Sequence, residues 1–145
     1  MEKYREEILS MTDDSVVKKT VFYIEEHIHE KLPLDKIAEA LNYSKFYIAR
    51  TFTEHTGCTI YKYIQGRRLT LAAENLVKTE KPIIEIAYEA HYNSQQAFTS
   101  AFGKIYQCTP QTYRKRGIFY PKQPRMMCGS SLSHIYHMRG GMMAA

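Results

Sequence analysis

The chain has 145 residues, a formal net charge of +5 at pH 7 and three cysteines. This length allows one ordinary domain or two small ones, and no apolar run approaches the roughly 18 residues of a membrane span. Three cysteines without a C-x-x-C pair argue against a disulfide framework and a zinc ribbon. The amino terminus lacks the apolar core of a signal peptide, so we expect a cytoplasmic protein with no membrane partner.

The charge is unevenly distributed along the chain. Residues 1–31 contain eight acidic and five basic residues, whereas no acidic residue follows Glu89. The basic residues beyond that point are Lys104, Arg114, Lys115, Arg116, Lys122, Arg125 and Arg139. This asymmetry indicates a polyanionic partner, and on charge alone a merely solvated basic face is the alternative.

A first helix is expected over residues 13–29, after an N-terminal extension over residues 1–12. Asp13 or Asp14 lies near its amino terminus, where a negative charge complements the helix dipole. Four apolar residues share one stripe of this helix and should pack against the rest of the domain, namely Val17, Val21, Ile24 and Ile28.

Two short helices joined by a tight turn are expected next, which is the helix-turn-helix pattern. Asp35 should cap the first helix and Ser44 the second, while Gly57 suits the carboxyl end of the second. The buried residues of the first helix should be Ile37, Ala38 and Leu41.

The outward face of the second short helix decides what this unit can bind. Helical periodicity turns Ile48 and Phe52 inward. An α-helix fits the major groove of DNA, and an arginine on such a helix can form two hydrogen bonds to guanine. The residues left outward are Lys45, Phe46, Ala49, Arg50 and Thr53.

Residues 59–79 are expected to form a long linker helix. Thr59 is a suitable N-cap, and Pro82 lies where the helical pattern stops. Such a helix spans roughly 30 Å at 1.5 Å per residue. Its inward residues recur at helical spacing and are Leu69, Ala72, Ala73 and Leu76.

Several residues recur at an offset of about fifty positions, once before and once after the linker helix. Ser44 returns as Ser94, and Phe52 returns as Phe102. The further pairs are Cys58 and Cys108, Thr59 and Thr109, and Tyr63 and Tyr113. We interpret the recurrence as a structural duplication, so residues 80–117 should form a second helix-turn-helix unit.

The second unit should present a polar recognition face. Ser94 caps a helix in which Phe98 and Phe102 point inward. Glutamine can pair with adenine through two hydrogen bonds, and threonine or serine can bind bases or phosphates. The residues left outward are Gln95, Gln96, Thr99 and Ser100.

A last helix should begin at Thr109 and Pro110 and end in the basic cluster Arg114, Lys115 and Arg116. Residues 118–145 show no helical period, so we expect an irregular tail or linker there. Cys128, His134 and His137 in this tail could ligate a metal. We expect no metal and no cofactor, because the tail lacks a scaffold that fixes ligand geometry.

These residues resemble the DNA-binding domain of the AraC/XylS family of bacterial transcription regulators, most closely the subgroup of Rob, MarA and SoxS. The motif residues of the first repeat are Asn42, Tyr43, Ser44, Lys45, Phe46, Arg50, Phe52, Thr56 and Gly57. Those of the second half are Arg68, Leu69, Ala87, Ser94, Gln95, Gln96, Phe98, Thr99, Ala101, Phe102, Thr109, Pro110, Tyr113 and Arg114.

The resemblance implies an all-α, homeodomain-like fold of seven helices. Two helix-turn-helix subdomains, residues 13–58 and 80–117, would be joined by a long linker helix over 59–79. It also implies binding to promoter DNA and contact with RNA polymerase, as expected of a nucleoid-associated regulator that activates transcription. We expect a monomer on DNA, since one chain supplies two different readers.

The expected contacts fall into two groups. Base contacts are expected from Phe46, Ala49, Arg50, Gln95, Gln96, Thr99 and Ser100. Contacts to the DNA backbone are expected from Ser44, Lys45, Thr53, Ser94, Lys104, Thr109, Arg114 and Lys115. Base preference is not transferable from the family, because Ala49 and Ser100 depart from its usual residues. His91 replaces the usual turn glycine and must adopt a left-handed conformation if that turn is kept.

Two other functions compete with this interpretation. An enzyme is disfavoured, because no phosphate loop, nucleophile elbow or pair of carboxylates is present. A helical module that binds protein or RNA without reading DNA sequence is the stronger alternative, since the fold alone does not determine function. The duplicated recognition face favours sequence-specific DNA binding.

Overall fold

A computed structural model describes the backbone of residues 2–126 and the side chains of residues 13–126. This part of the chain is all-α, without strands, as predicted. It divides into two compact units, and the division falls within one helix: unit 1 contains the residues up to Tyr63 with Arg125 and Met126, and unit 2 contains Ile64–Pro124. The seven helices are α1 Glu2–Glu26, α2 Leu34–Leu41, α3 Lys45–Thr56, α4 Ile60–Lys78, α5 Ile83–Glu89, α6 Gln95–Tyr106 and α7 Pro110–Arg116.

Helix α1 differs from the expected helix over residues 13–29 at both ends. It begins at Glu2 because residues 2–12 contain neither proline nor glycine and several good helix formers, so most of the expected N-terminal extension is helical. It ends at Glu26, and residues 27–29 form a turn in which the ring Nδ1 of His27 lies 2.8 Å from the Tyr23 carbonyl oxygen. The apolar stripe is as predicted, with Val17, Val21, Ile24 and Ile28 all buried.

In unit 1, α1 packs on α2 and α3. The prediction that Asp35 caps α2 was wrong: Pro33 occupies the cap position, and Asp35 lies in the first turn, where its charge still complements the helix dipole. Leu41 is only partly buried, whereas Ile37 and Ala38 are buried. The turn after α2 places Asn42 in the left-handed region, at φ 61°.

Unit 2 has a core of apolar and aromatic side chains contributed by all four of its helices. At its centre the Phe102 ring stacks on Tyr106, with ring centroids 4.6 Å apart, and meets Tyr113 edge-on at 5.4 Å. Burial raises the pKa of Tyr106 to about 12. His91 has φ 68°, as the turn before α6 requires.

The chain does not leave unit 2 at the end of α7. Residues 118–124 carry no helix, yet hydrogen bonds fix them to α4, to α7 and, through the amide of Lys122 and the hydroxyl of Tyr106, to α6. The amide of Gln123 donates to Thr70 Oγ1 at 3.0 Å, its carbonyl accepts from Arg67 at 2.7 Å, and the amide of Tyr120 donates to the Tyr113 hydroxyl at 2.8 Å. We call this segment the strap, and it forms part of the folded unit.

The residues after the strap belong to unit 1. The amide of Met126 donates to the hydroxyl of Tyr63 at 3.2 Å, and Tyr63 donates to Glu25 on α1 at 3.1 Å. Among residues 2–126, no helix combines the length and the apolar character that crossing a bilayer requires.

We expect Thr70→Val to lower the free energy of unfolding by about 1–3 kcal/mol, because the buried amide of Gln123 would lose its acceptor. Urea denaturation followed by circular dichroism measures the change. The control is Thr53→Val, an exposed threonine whose side chain makes no hydrogen bond within the described residues, with an expected change below about 0.5 kcal/mol. Equal losses in the two variants would show that the strap does not stabilise the fold.

Candidate nucleic-acid interface

The first candidate recognition face lies on α3. Ser44 caps this helix through a 3.1 Å hydrogen bond from the Tyr47 amide, and Gly57 ends it at φ 74°. Ile48 and Phe52 are buried, which turns the opposite side of the helix toward solvent. There Phe46 is 77% exposed, Lys45, Arg50 and Thr53 are exposed, and Ala49 is partly exposed.

Lys45 and Arg50, two basic side chains on the outward side of α3, differ in their partners. Lys45 Nζ lies 3.3 Å from Asp35 Oδ1 and 5.8 Å from the centroid of the Phe46 ring. Arg50 forms no hydrogen bond or ion pair with any described residue. Its five N–H donors are therefore available to a ligand, whereas Lys45 must exchange an exposed ion pair to contact one.

The second candidate face lies on α6 and is built in the same way. Ser94 caps the helix through a 3.0 Å hydrogen bond from the Ala97 amide, and Phe98 and Phe102 are fully buried. The side chains expected to contact bases lie in the amino-terminal half of the helix, where a helix inserted in a groove meets base edges. Gln95, Gln96 and Ser100 are exposed, and Thr99 is partly exposed.

Two lysines of unit 2 have no carboxylate partner within residues 13–126. Its acidic residues all precede Ala90, and two of them are already paired, Glu74 with Lys78 at 3.0 Å and Glu89 with Lys81 at 3.1 Å. Lys104 on α6 and Lys115 on α7 are exposed and form no ion pair within the described residues. Both are suited to contact phosphate.

The expected hydroxyl contacts to the DNA backbone come from residues that also cap helices. Ser44, Ser94 and Thr109 are exposed, and each accepts a backbone N–H with its side-chain oxygen. The Thr109 hydroxyl lies 2.9 Å from that of Thr112, to which it donates. Capping uses these oxygens as hydrogen-bond acceptors. The hydroxyl hydrogens of Ser44 and Ser94 can therefore still be donated to a phosphate.

Arg114 has a structural role that the sequence did not indicate. Its guanidinium donates to three backbone carbonyls at the end of α4 and just after it: Leu76 at 2.9 Å, Thr79 at 3.4 Å and Lys81 at 2.7 Å. These bonds satisfy carbonyl groups that a helix end leaves unpaired, and they fix α7 to α4. We therefore leave Arg114 out of the proposed set of DNA contacts.

Asp13 is a second residue whose role was missed. We expected it only to lie near the start of the first helix, but its carboxylate contacts Tyr47 and His55 on α3. No local pattern could have indicated this, because the contacts join residues 34 and 42 positions apart.

No group of histidine, cysteine or acidic side chains that could hold a metal occurs in the described part of the chain. Cys128, His134 and His137, the candidate ligands in the sequence, lie outside the described residues.

Comparison with known proteins identifies the family. A protein-family model described as a helix-turn-helix domain matches residues 37–116. The chain is 40% identical over 106 residues to the regulatory protein SoxS of Salmonella typhimurium, covering 73% of this chain and 99% of SoxS. The chain belongs to the AraC-type family of helix-turn-helix transcription regulators. The resemblance inferred from the motif residues is thus confirmed.

Two further similarities agree with this assignment to the AraC-type family. The chain is 40% identical over 105 residues to the transposon Tn10 TetD protein of Escherichia coli, covering 72% of this chain and 76% of TetD. A solved structure of an AraC-type transcriptional regulator from Chromobacterium violaceum matches with a TM-score of 0.68 at 27% identity, covering 71% of this chain and 92% of that one. The 145-residue chain itself is therefore a DNA-binding transcription regulator and not an enzyme.

We expect Arg50→Ala to weaken specific binding by about 1–3 kcal/mol and to relax the preference at one base pair, because arginine in the major groove commonly reads guanine. Competition binding with DNA sites that differ at single base pairs measures both effects. Lys62→Ala is the control, since it removes an exposed positive charge from the same unit without touching either recognition face. Equal losses with unchanged base preference in both variants would contradict the base-reading role.

Arg114→Ala and Lys115→Ala should separate structure from phosphate contact. We expect Arg114→Ala to lower the stability of unit 2 by about 1–3 kcal/mol, since three carbonyls lose a charged donor. Lys115→Ala should leave stability unchanged and reduce the slope of log binding constant against log salt concentration by roughly one. Thermal unfolding and salt titration of binding measure these effects. A lowered salt slope for a fully folded Arg114→Ala protein would show that Arg114 contacts phosphate instead.

Proposed function

We propose that the protein binds promoter DNA as a monomer, with α3 and α6 in successive major grooves, and activates transcription by contacting RNA polymerase. The observation that carries this proposal is the pair of exposed helix faces in a single chain. Each face follows a serine N-cap, and each is held by two buried side chains on its opposite side. A DNA-bound regulator of this kind acts in the cytoplasm, at the nucleoid.

The two faces offer different chemistry to base edges. On α3, Arg50 can donate two hydrogen bonds to guanine, and the apolar Phe46 and Ala49 can meet the methyl group of thymine. On α6, Gln95 and Gln96 can each pair with adenine, and Thr99 and Ser100 can bind either bases or phosphates. Because the two faces differ, the preferred site should be asymmetric.

Phosphate contacts would supply most of the affinity that does not depend on sequence. Lys104 and Lys115 would contribute them through ammonium groups that no carboxylate neutralises within the described residues. Lys45 and the hydroxyls of Ser44, Thr53 and Ser94 would add contacts that position each helix in its groove, and Thr109 would add one by exchanging its bond to Thr112. Each ammonium that contacts a phosphate releases counterions, so specific and non-specific binding should both weaken with salt.

Helix α4 sets the spacing in this proposal. Its 19 residues form one uninterrupted helix. At 1.5 Å per residue this gives a length of about 28 Å, close to the 34–36 Å that separates successive major grooves on one face of DNA. One chain can therefore supply both readers, and light scattering of the complex should give one protein per DNA site.

The activator role and the polymerase contact are separate parts of the proposal. They rest on the family, whose member SoxS is described as a regulatory protein. Transcription in vitro with purified RNA polymerase, on a promoter that the protein binds, tests them. More transcript on addition of the protein would support activation, whereas less transcript would show repression.

Inserting two alanines after Asn75 tests the spacing most sharply. The insertion lengthens α4 by only about 3 Å but turns the residues that follow by about 200° around the helix axis. We expect specific affinity to fall to the non-specific level, while salt-dependent binding to arbitrary DNA persists. Footprinting and competition binding measure these effects.

The control replaces Glu74 and Asn75 by alanine without changing the length of α4, and should keep specific binding. Moving the two half-sites apart by a base pair or two should not rescue the insertion, since the mismatch is mainly rotational. An insertion variant with unchanged specific affinity and footprint would show that α4 does not set the phase of the two readers.

A further inference from the structure

A single carboxylate on α1 contacts both ends of α3. The hydroxyl of Tyr47, in the first turn of α3, donates to Asp13 Oδ1 at 2.8 Å. Nε2 of His55, in the last turn, lies 3.3 Å from Asp13 Oδ2. Both contacts are partly buried, which makes them stronger than comparable contacts in open solvent.

The two contacts lie along one flank of α3. Tyr47, Thr51 and His55 recur every four residues and therefore form one stripe of the helix. This stripe lies between the buried side, which carries Ile48 and Phe52, and the outward side, which carries Arg50. Hydrogen bonds are directional, so a bond at each end of the stripe resists rotation of the helix about its own axis. Apolar packing is not directional and resists such rotation less well.

Further side-chain contacts surround this cluster. His55 Nδ1 lies 3.7 Å from Asp14 Oδ1, so the imidazole lies between two carboxylates of α1. The hydrogen bond to Asp13 is the main cause that raises the pKa of the Tyr47 hydroxyl. Beyond Tyr47, its neighbour Tyr43 lies below Lys19 Nζ, 6.0 Å from the ring centroid.

We propose that Asp13 is a positioning residue for DNA reading: by holding Tyr47 and His55 it fixes the rotation of α3 that points Arg50 and Phe46 at base edges. The proposal rests on the proposed function, in which α3 lies in a major groove. Asp13 itself touches no DNA in this account. It also lies outside residues 37–116, the part that the helix-turn-helix family model matches.

The test selects bound sequences from a random DNA pool and compares base preference in six proteins: the natural chain, Asp13→Asn, Tyr47→Phe, Glu30→Gln, Arg50→Ala, and the double variant with Asp13→Asn and Arg50→Ala. Asp13→Asn keeps the shape of the side chain but removes the charge, and Tyr47→Phe removes only the donor hydroxyl. Glu30→Gln is the matched control, because it also turns a carboxylate of unit 1 into an amide, at an exposed residue whose side chain pairs with Lys36 and His27. Circular dichroism at the binding temperature confirms that each variant is folded.

We expect Asp13→Asn and Tyr47→Phe to lose about tenfold in specific affinity. The loss should occur at the base pairs where Arg50→Ala also relaxes the preference. The preference at base pairs read by α6 and the non-specific affinity should not change. When Arg50 is already replaced by alanine, Asp13→Asn should lower the specific affinity little further, because both substitutions remove the same base contacts of α3. Glu30→Gln should stay within about twofold of the natural chain.

The outcomes separate the two proposals. If Arg50→Ala relaxes base preference but Asp13→Asn and Tyr47→Phe do not, the positioning role is wrong and the proposed function stands. If Asp13→Asn lowers binding to all sequences equally, the residue serves only stability and the positioning role is again wrong. If Arg50→Ala changes no base preference, the proposed function of α3 itself fails.

Discussion

Burial of two apolar side chains on each recognition helix is the constraint on which the rest of the structure depends. Ile48 and Phe52 in α3, and Phe98 and Phe102 in α6, are at most 1% exposed. Each fully buried side chain of this size contributes on the order of 1.5–3 kcal/mol. That energy fixes which side of the helix faces the core, so the polar or basic side chains opposite must face outward.

Polar bonds then fix where the helices begin and how they are oriented, which apolar burial alone does not determine. Serine caps set where α3 and α6 begin, and Asp13 restrains α3 along its flank. In unit 2, Arg114 fixes α7 to the carboxyl end of α4, and the strap connects α4, α6 and α7 through Gln123, Lys122 and Tyr120. These bonds are directional, so they determine orientation where packing determines only contact.

The fold could be predicted from the sequence to the extent that its signals are local. The apolar periods of α1 and α4, the caps Ser44, Ser94 and Thr109, and the left-handed turn at His91 involve residues a few positions apart, and the structure contains all of them. The helix-capping role expected of Asp35 failed because proline at position 33 fixes an extended backbone one residue before the helix.

Contacts between distant parts of the chain could not be predicted in this way. Arg114 is basic and lies in a basic cluster, which predicted a contact to phosphate. Its partners are instead backbone carbonyls more than 30 residues earlier in the chain. The strap has no helical period, and the sequence therefore predicted an irregular tail. Gln123 is nevertheless buried, and it forms hydrogen bonds to residues more than 50 positions away. The division of the chain at 118 and the assignment of base and phosphate contacts both remain predictions.

The central claim is that one chain reads DNA with two different helix faces. Selection of bound sequences from a random DNA pool tests it most directly, when carried out with the natural chain, with Arg50→Ala and with Gln96→Ala. We predict two unlike blocks of base preference about one turn of DNA apart. Arg50→Ala should weaken one block and Gln96→Ala the other. A palindromic site, or a single block that both variants weaken, would contradict it.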